Sequence, residues 1–274
     1  MATPIGNMGD ITFRAVEVLR AADVVACEDT RVTAKLMARL GLERPLTPYH
    51  EHNADKARPA LLARLREGQR VALVSDAGTP LVSDPGYRLV RACVDEGLAV
   101  TAVPGASAVP TALQLSALPC DRWLFAGFLP SKATQRRQAL REVEAVPATL
   151  VFYESPNRLA DSLADMLAVL GDRPAAVARE LTKLHEEVAR GRLSDLAGRY
   201  AAAGAPKGEV VVVVGAPEAA APAGGDDLDA RLRRAVDGGT SIKDAAALVA
   251  AETGHPRRDV YARALRLFRG GNDG

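Results

Sequence analysis

The chain has 274 residues, of which 48% are hydrophobic and only 4% aromatic, so aliphatic side chains must fill cores large enough for two compact domains. The 35 basic and 34 acidic residues nearly cancel, which excludes a uniformly basic nucleic-acid-binding surface but leaves room for a local patch. Three cysteines without metal-type spacing, no signal peptide and no apolar run of about 18 residues predict a cytoplasmic protein without a membrane span.

Short Val-rich runs alternate with amphipathic helical stretches along the chain, which is the pattern of parallel α/β architecture. After a helix at 11–23 we expect strands within 22–29, 69–78 and 98–105, and helices near 30–41, 53–67, 84–96 and 106–116. The last two strands run directly into turns of small residues. Open parallel sheets bind ligands at such carboxyl ends of strands.

A second α/β set follows, and the chain ends in a helical segment. We expect strands within 122–130, 148–156, 175–182, 186–193 and 208–215, helices near 133–144, 156–170 and 193–203, and three short helices from 227 to 271. The last two helices have the spacing of a helix-turn-helix. The predicted organisation is an N-terminal α/β domain (1–117), a second α/β domain (118–216), a Gly/Ala/Pro-rich linker (217–227) and a helical module (228–270).

Four loops have the composition of ligand-binding turns: "TPIGNMGD" (3–10), "SDAGTPLVSDPG" (75–86), "VPGASA" (103–108) and "FYESPNR" (152–158). Glycine permits close backbone approach to a ligand, although Gly and Pro also simply end strands and start helices. The loops lack a Gly-Lys-Ser/Thr sequence and the third glycine of a dinucleotide site. They carry Asp10, Asp76 and Asp84 instead, which favours a ligand with positive charge and hydroxyls, such as S-adenosylmethionine.

Longer motifs extend this pattern. The stretches "ATPIGNMGDITFRAVEVLRAADVVACEDTR", "VALVSDAGTPLVSDPG", "VPGASA", "FYESPNR", "ARELTKLHEE" and "KGEVVVVVG" resemble the tetrapyrrole-methylase superfamily, and within it the enzymes that methylate small-subunit ribosomal RNA. The similarity runs to about residue 215 and resumes in "SIKDAAALVAAETGHPRRDVYARAL".

The resemblance implies two α/β domains with S-adenosylmethionine in the cleft between them. It also implies 2′-O-methylation of a cytidine ribose in the decoding region of small-subunit ribosomal RNA by a homodimer. Carried onto this sequence, the cofactor-binding residues are Pro4, Gly6, Asn7, Gly9, Asp76, Ala77, Gly78, Thr79, Pro80, Val82, Ala106, Ser107, Phe152, Tyr153, Pro206 and Lys207.

Methyl transfer to a hydroxyl mainly requires alignment, and a general base can assist it. The candidates are Glu28 and Asp29 in "CEDTR", Glu154 in "FYESP", and Glu180 with Lys183 and His185 in "RELTKLH". We retain Glu154, Asp29, Glu180 and Lys183 as the catalytic set. Helix capping or ion pairing is the alternative role of each acid, and Asp29 in particular precedes a helix.

Contact with RNA should appear as local basic charge. The predicted RNA-binding residues are Arg31, Lys132, Arg136, Arg137, Arg158, Arg257, Arg258 and Arg263. The alternative for the last helix is an amphipathic helix whose arginines are solvated.

Three details qualify the resemblance. A Val- and Leu-rich strand normally precedes "ATPIGN", so we expect looser order around residues 1–9, weaker cofactor binding, or support from a neighbouring segment. Asn157 stands where many relatives have His, so we assign no proton transfer to it. His50 and His52 have a spacing that could suit a metal, but no cluster completes a site, and we predict a polar loop and no metal.

Other functions stay open. A methyltransferase of a tetrapyrrole precursor, or of a protein in the diphthamide pathway, would not need the helical module. A ligand-sensing DNA-binding regulator would use that module to bind duplex DNA and would transfer no methyl group.

Overall fold

The computed structural model describes residues 1–218 and 225–269 of the chain. It divides into two compact units, Met1–Pro217 and Glu218–Gly274. Much of the predicted linker (217–227) falls on residues 219–224, which lie outside the described residues, as does residue 270 of the predicted helical module.

The first sheet is parallel and has three strands in the order β2-β1-β3: β1 (Val24–Cys27), β2 (Leu46–Pro48) and β3 (Val71–Val74). Its helices are α1 (Phe13–Ala21), α2 (Thr30–Arg39), α3 (Ala54–Arg66) and α4 (Tyr87–Asp95). Every residue of β1 is buried, because Val25 packs with Leu19 and Met37 on one face while Val24 packs with Leu61 on the other. This burial on both faces explains the continuous apolar run in the sequence.

Residues 98–105, predicted as a strand, belong to no sheet, so that prediction is wrong. Within this segment the Val103 carbonyl accepts a hydrogen bond from the Ala2 amide (3.0 Å). The N-terminal residues also contact the first sheet, because the Met1 ammonium donates to the Leu73 carbonyl of β3 (2.8 Å). Residues 1–3 therefore make hydrogen bonds both to β3 and to the 98–105 segment. So short a stretch cannot supply the consecutive pairs of a strand ladder.

The second sheet has five strands in the order β4-β5-β8-β6-β7: β4 (Trp123–Phe128), β5 (Thr149–Glu154), β6 (Pro174–Arg179), β7 (Glu187–Arg192) and β8 (Val210–Val214). Helices α6 (Ala133–Val143), α7 (Leu159–Leu170) and α8 (Leu193–Ala203) cover one face. On the opposite face, α5 (Ala108–Ser116) packs Val109 and Leu113 against Val151 and Val211. The helix that leads out of the first α/β set thus contributes to the core of the second.

Only β4 and β5 are parallel in this sheet; the other three pairings among the described strands are antiparallel. The alternating sequence pattern had suggested parallel architecture throughout. For β6 and β7 the reason is their short connection, which can join only antiparallel strands, whereas a parallel pair needs a long crossover.

The second unit consists of α9 (Gly225–Asp237), α10 (Ile242–Thr253) and α11 (Arg257–Arg269). Leu232, Val249, Val260 and Ala264 form its buried centre. The Ser241 side chain caps α10 by accepting from the Asp244 amide, and Gly254 ends the helix in a left-handed conformation (φ 72°). None of the helices in the described residues is long and apolar enough to cross a membrane.

Candidate active site

The first three loops are hydrogen-bonded to one another. Thr3 and Gly78 exchange two backbone hydrogen bonds (2.9 and 3.1 Å), which join the first turn to the second loop. The Thr79 hydroxyl donates to the Ala106 carbonyl (3.1 Å), which joins the second loop to the third. The three loops that carry predicted cofactor residues are therefore adjacent in the structure.

The turn at 3–10 is shaped by its own side chains and by a lysine from the second sheet. The Asn7 side chain accepts from the Gly9 amide (2.9 Å) and caps a short 3-10 turn at Met8–Asp10. At Gly6 a Cβ would overlap with Cγ of Lys183, whose Cε would lie only 2.8 Å away. The glycine is required here because the lysine stem occupies the space of a side chain.

A cavity of about 310 Å³ opens beside this turn. It brings together four predicted cofactor residues and one predicted catalytic residue: Pro4, Gly6, Asp76, Ala77 and Lys183. The rest of its lining is Thr3, Ile5, Met8, Val32, Lys35, Leu36, Arg39 and Glu209. Of these, Val32, Leu36, Arg39 and Glu209 were not predicted from the sequence. Residues 32, 35, 36 and 39 recur at the spacing of one face of α2, and this spacing could have predicted that they line the cavity together.

Lys183 and Glu180 are paired with each other. The Lys183 ammonium contacts the carboxylates of Glu180 (2.8 Å) and Glu209 (2.9 Å), and Glu180 also accepts from the Glu209 amide (3.0 Å). The hydrogen bond from Lys183 lowers the pKa of Glu180. Burial alone would lower the pKa of Lys183, but its bonds to Glu180 and Glu209 raise it overall. Both side chains are held in place, and the pair bridges the loops before β8 and after β6.

Carboxylates gather at the carboxyl end of the first sheet. Asp29 caps α2 and forms a close pair with Arg31 (2.6 Å), whose hydrogen bond lowers the pKa of Asp29 to about 2. The Asp29 amide donates to Asp76 (3.0 Å). Burial, followed by the charges of Asp76 and Asp84, raises the pKa of the neighbouring Glu28. Among the described residues, no hydrogen bond or ion pair to the Glu28 carboxylate is formed.

Glu154 is buried, and both of its oxygens are occupied. It accepts from the Ser155 amide (2.7 Å) and the Ser162 hydroxyl (2.5 Å), and it pairs with Arg158 (2.6 Å). Arg158 in turn donates to the Leu129 carbonyl (3.1 Å). This network ties β5 to α7 and favours a structural role for the carboxylate.

The other predicted cofactor residues of the second sheet differ in exposure. Phe152 is fully buried in the core under α7, so its side chain cannot reach a ligand, and only its backbone is left for the predicted cofactor contact. Tyr153 points the other way, and burial, then Asp84 and Glu209, raise its pKa to about 12. Lys207 is exposed, and its carbonyl accepts from Arg179 (3.1 Å).

The predicted RNA-binding residues divide into exposed and engaged side chains. Arg136 is buried and bound to the buried Asp165 (2.6 Å), so it is not available to RNA and that prediction is corrected. Arg137 joins the same carboxylate with half of its side chain exposed, and Arg263 pairs with Asp229 (2.7 Å). The exposed residues are Arg31, Lys132, Arg137, Arg257 and Arg258, of which Arg31 and Arg137 are also ion-paired.

His50 and His52 lie near each other, with ring centroids 6.1 Å apart. Over residues 1–218 and 225–269, no group of three or more His, Cys, Asp or Glu side chains could hold a metal ion.

Comparison with known proteins defines the class. The sequence profile of the Tetrapyrrole (Corrin/Porphyrin) Methylases matches residues 2–197, and that of the RsmI C-terminal HTH domain matches residues 222–268. The chain therefore belongs to the tetrapyrrole methylase family.

Several members of known sequence have a high identity to this chain over nearly its whole length. The chain is 54% identical to the Ribosomal RNA small subunit methyltransferase I of Mesorhizobium japonicum, covering 97% of this chain and 90% of that protein. Its identity to the protein of the same name is 53% in Erythrobacter litoralis (97% and 94% covered) and 46% in Escherichia coli O157:H7 (96% and 92% covered).

Solved structures share the fold at low identity. A cobalt precorrin-4 methyltransferase superposes with a TM-score of 0.59 at 19% identity, covering 78% of this chain and 92% of that one. A diphthine synthase gives 0.58 at 16% (77% and 87% covered). A Thermus thermophilus uroporphyrin-III C-methyl transferase complexed with S-adenyl homocysteine gives 0.52 at 20% (77% and 93% covered).

Proposed function

We propose that the chain uses S-adenosylmethionine to methylate the 2′-hydroxyl of a cytidine in the decoding region of small-subunit ribosomal RNA. The observation that carries this proposal is the 54% identity, over nearly the whole chain, to a protein named as a ribosomal RNA small subunit methyltransferase. The match of residues 222–268 to a helix-turn-helix profile also supports a macromolecular substrate over a tetrapyrrole. Because small-subunit ribosomal RNA is found in the cytoplasm, we also propose that the protein acts there.

The residues present suit this cofactor. The cavity combines apolar side chains such as Met8 and Leu36 with two carboxylates and three cations, which offers partners for the adenosine, the cationic groups and the carboxylate of the cofactor. Gly78 has φ 79°, and an added Cβ there would lie 3.2 Å from Cγ2 of Ile5, so a larger residue would strain the loop and press on Ile5. Pro4, Gly6, Asp76, Ala77 and the 78–82 and 106–107 segments would hold the cofactor. When bound, S-adenosylmethionine supplies an already activated methyl group.

The chain's own residues then have to orient a ribose hydroxyl and take up its proton. Asp29 and Glu180 are each held by a cation that lowers the pKa, and Glu154 is sealed in the core. Within the described residues, Glu28 combines a raised pKa with a carboxylate that has no bonded partner. We therefore assign proton acceptance to Glu28 and positioning roles to Asp29, Glu154, Glu180 and Lys183.

Exposed cations provide the RNA contacts in this proposal. Lys132 lies at the start of α6 and Arg257 and Arg258 at the start of α11, while the side chain of Arg31 is 85% exposed. Because phosphate contacts release counterions, binding should weaken steeply as salt rises.

We also propose a homodimer. Along α4, Tyr87 and Val94 are 69% and 60% exposed and lie seven residues apart, on one face of the helix. Such an exposed apolar stripe suits contact with a second copy. Light scattering of the purified chain tests this state.

The experiment that tests the function measures transfer of labelled methyl from S-adenosylmethionine to small ribosomal subunits, naked ribosomal RNA and a tetrapyrrole precursor. We expect label in RNA alone. Asp76→Ala should weaken cofactor binding in calorimetry, while Asp95→Ala, which removes an exposed carboxylate paired with Arg91, should not. Label in the tetrapyrrole precursor would contradict the proposal. Specific binding of duplex DNA without methyl transfer would favour a regulator.

A further inference from the structure

An exposed aromatic ring lies at the carboxyl end of β4. The Phe128 side chain is 55% exposed, although it stands in a sheet strand. The register between β4 and β5 shifts between Phe125 and Phe128, and Gly127 within the shift has φ 67°. Such irregularities turn a side chain away from the regular alternation of the strand. Phe128 is thereby directed out of the core.

The ring is braced from within the sheet. Phe128 packs on Tyr153 with ring centroids 5.4 Å apart, and Tyr153 packs on Phe125 at 4.8 Å. Three aromatic rings in consecutive contact are unusual in a protein whose residues are only 4% aromatic. Phe128 is thus a supported surface, because Tyr153, itself packed on Phe125, lies against one side of the ring while more than half of Phe128 is exposed.

This aromatic ring adjoins the second cofactor loop. A Cβ at Gly127 would lie 3.7 Å from the Ser83 hydroxyl. In that loop Leu81 and Ser83 adopt left-handed conformations (φ 72° and 63°) that cost non-glycine residues energy, and Leu81 is 40% exposed. The aromatic surface therefore borders the loop that carries Asp76, which lines the cavity.

Acidic and basic groups both lie nearby. Asp84 directly follows Ser83, which lies against Gly127, and on the other side Arg158 donates to the carbonyl of Leu129, next to Phe128. The charge of Asp84 also acts on the neighbouring Tyr153. Carboxylates repel phosphate groups but accept hydrogen bonds from exocyclic amino groups, as they do from cytosine. An unpaired nucleobase, stacked on an aromatic ring, matches this combination of an apolar face and an acceptor.

We propose that Phe128 stacks on the base of the nucleotide that is methylated, with Asp84 accepting from an exocyclic amino group and so favouring cytosine over uracil. The inference rests on the proposed RNA substrate, and it adds the residues that select the base.

Phe128→Ala, Phe128→Trp and Trp123→Ala test the stacking contact. Trp123 is the matched control, because it is 48% exposed at the opposite end of the same strand. We expect Phe128→Ala to raise the KM for small subunits about tenfold or more, with Phe128→Trp and Trp123→Ala close to wild type. The Kd for S-adenosylmethionine, measured by calorimetry, should stay within about twofold in all three.

Three results would overturn the stacking contact. Unchanged KM in Phe128→Ala would remove it, a weakened cofactor Kd would make the ring a cofactor contact, and loss of a dimer in light scattering would make it a subunit interface. Binding of a short unpaired cytidine-containing RNA is measured alongside. Weaker binding of this RNA by Phe128→Ala would support the stacking contact, and unchanged binding would count against it. A wild type that binds the RNA but transfers no methyl group would refute only the proposed function.

Asp84→Asn tests base selection. The methylated nucleotide, mapped on the wild-type product, is changed from C to U, and kcat/KM is compared for the two RNAs. An amide can donate as well as accept, so we expect the preference for C to fall about tenfold or more in Asp84→Asn. An unchanged ratio would exclude Asp84 from base selection.

Discussion

The turn around Gly6 has no room for a side chain, because the stem of Lys183 lies against it. We predict that Gly6→Ala displaces the turn and weakens S-adenosylmethionine binding at least about tenfold, since a close approach of this kind cannot relax without moving backbone or lysine. The double variant Gly6→Ala/Lys183→Ala should recover part of the loss. Calorimetric titration measures both.

Gly198→Ala is the matched control for this substitution. Gly198 lies inside α8 with nothing within 4 Å of the added Cβ, so the change should raise the free energy of unfolding by about 0.5–1 kcal/mol and leave cofactor binding unchanged. Equal cofactor affinity of Gly6→Ala and wild type would contradict the close contact at Gly6.

Glu28 should set the acid side of the pH–rate profile. A carboxylate accepts a proton only when ionised, and the pKa of Glu28 is raised by burial and by Asp76 and Asp84. We therefore expect kcat to fall as the pH drops through a value above the ordinary range of glutamate, and Glu28→Gln to abolish that limb while binding cofactor normally. A limb that persists in Glu28→Gln would assign the proton to another group.

For individual residues, the sequence predicts which loops bind a ligand better than it predicts which distant side chains those loops contact. The motif around Gly6 predicts a turn that approaches a ligand, and Asp29 was recognised as a possible helix cap, which it is. The contact between Gly6 and Lys183, however, depends on how distant segments meet. For the same reason the sequence could not reveal that Arg136 is buried against Asp165 rather than exposed to RNA.

The α6–α7 pair contains a buried charge cluster. Asp165 and Arg136 each have only 5% of the side chain exposed, whereas Arg137 is 52% exposed. Asp165→Ala leaves a buried guanidinium without its partner and should lower the free energy of unfolding by about 3 kcal/mol. Arg137→Ala removes an exposed partner and should cost less than about 1 kcal/mol. Urea unfolding measures both, and equal effects would contradict the assigned burial.

The three-helix unit should loosen in acid. Hydrogen bonds from Arg263 lower the pKa of Asp229 below its unfolded value. The stabilisation is therefore present above about pH 4, the unfolded value, and is lost as the pH falls through the lower folded value. Hydrogen exchange of α9–α11 amides in the full chain should accelerate over that window. Asp229→Asn should show faster exchange already at neutral pH, and protection equal to wild type would contradict the pairing.

Helices and strands with strong local sequence patterns could be predicted, but the pairing of strands into sheets could not. Helix α2 and the buried strand β8 follow from periodicity and from a run of valines. The segment 98–105 has the composition of a strand, yet strands exist only when a neighbour pairs with them. β2, with three residues, is too short to leave a sequence pattern.

At the scale of the whole molecule, two α/β sets and a helical unit follow from the alternation of patterns along the chain. The chain's net charge of +1 has a further consequence for RNA binding. Attraction must come from a few exposed cations rather than from the overall field, so affinity for small subunits should depend strongly on salt.

The most direct test of the central claim is nucleoside mass spectrometry of small-subunit ribosomal RNA after reaction with isotope-labelled S-adenosylmethionine. The account predicts label in one nucleoside, 2′-O-methylcytidine, at one position, and its loss in Asp76→Ala. Label on a base, on another nucleoside, or in no RNA at all would contradict it.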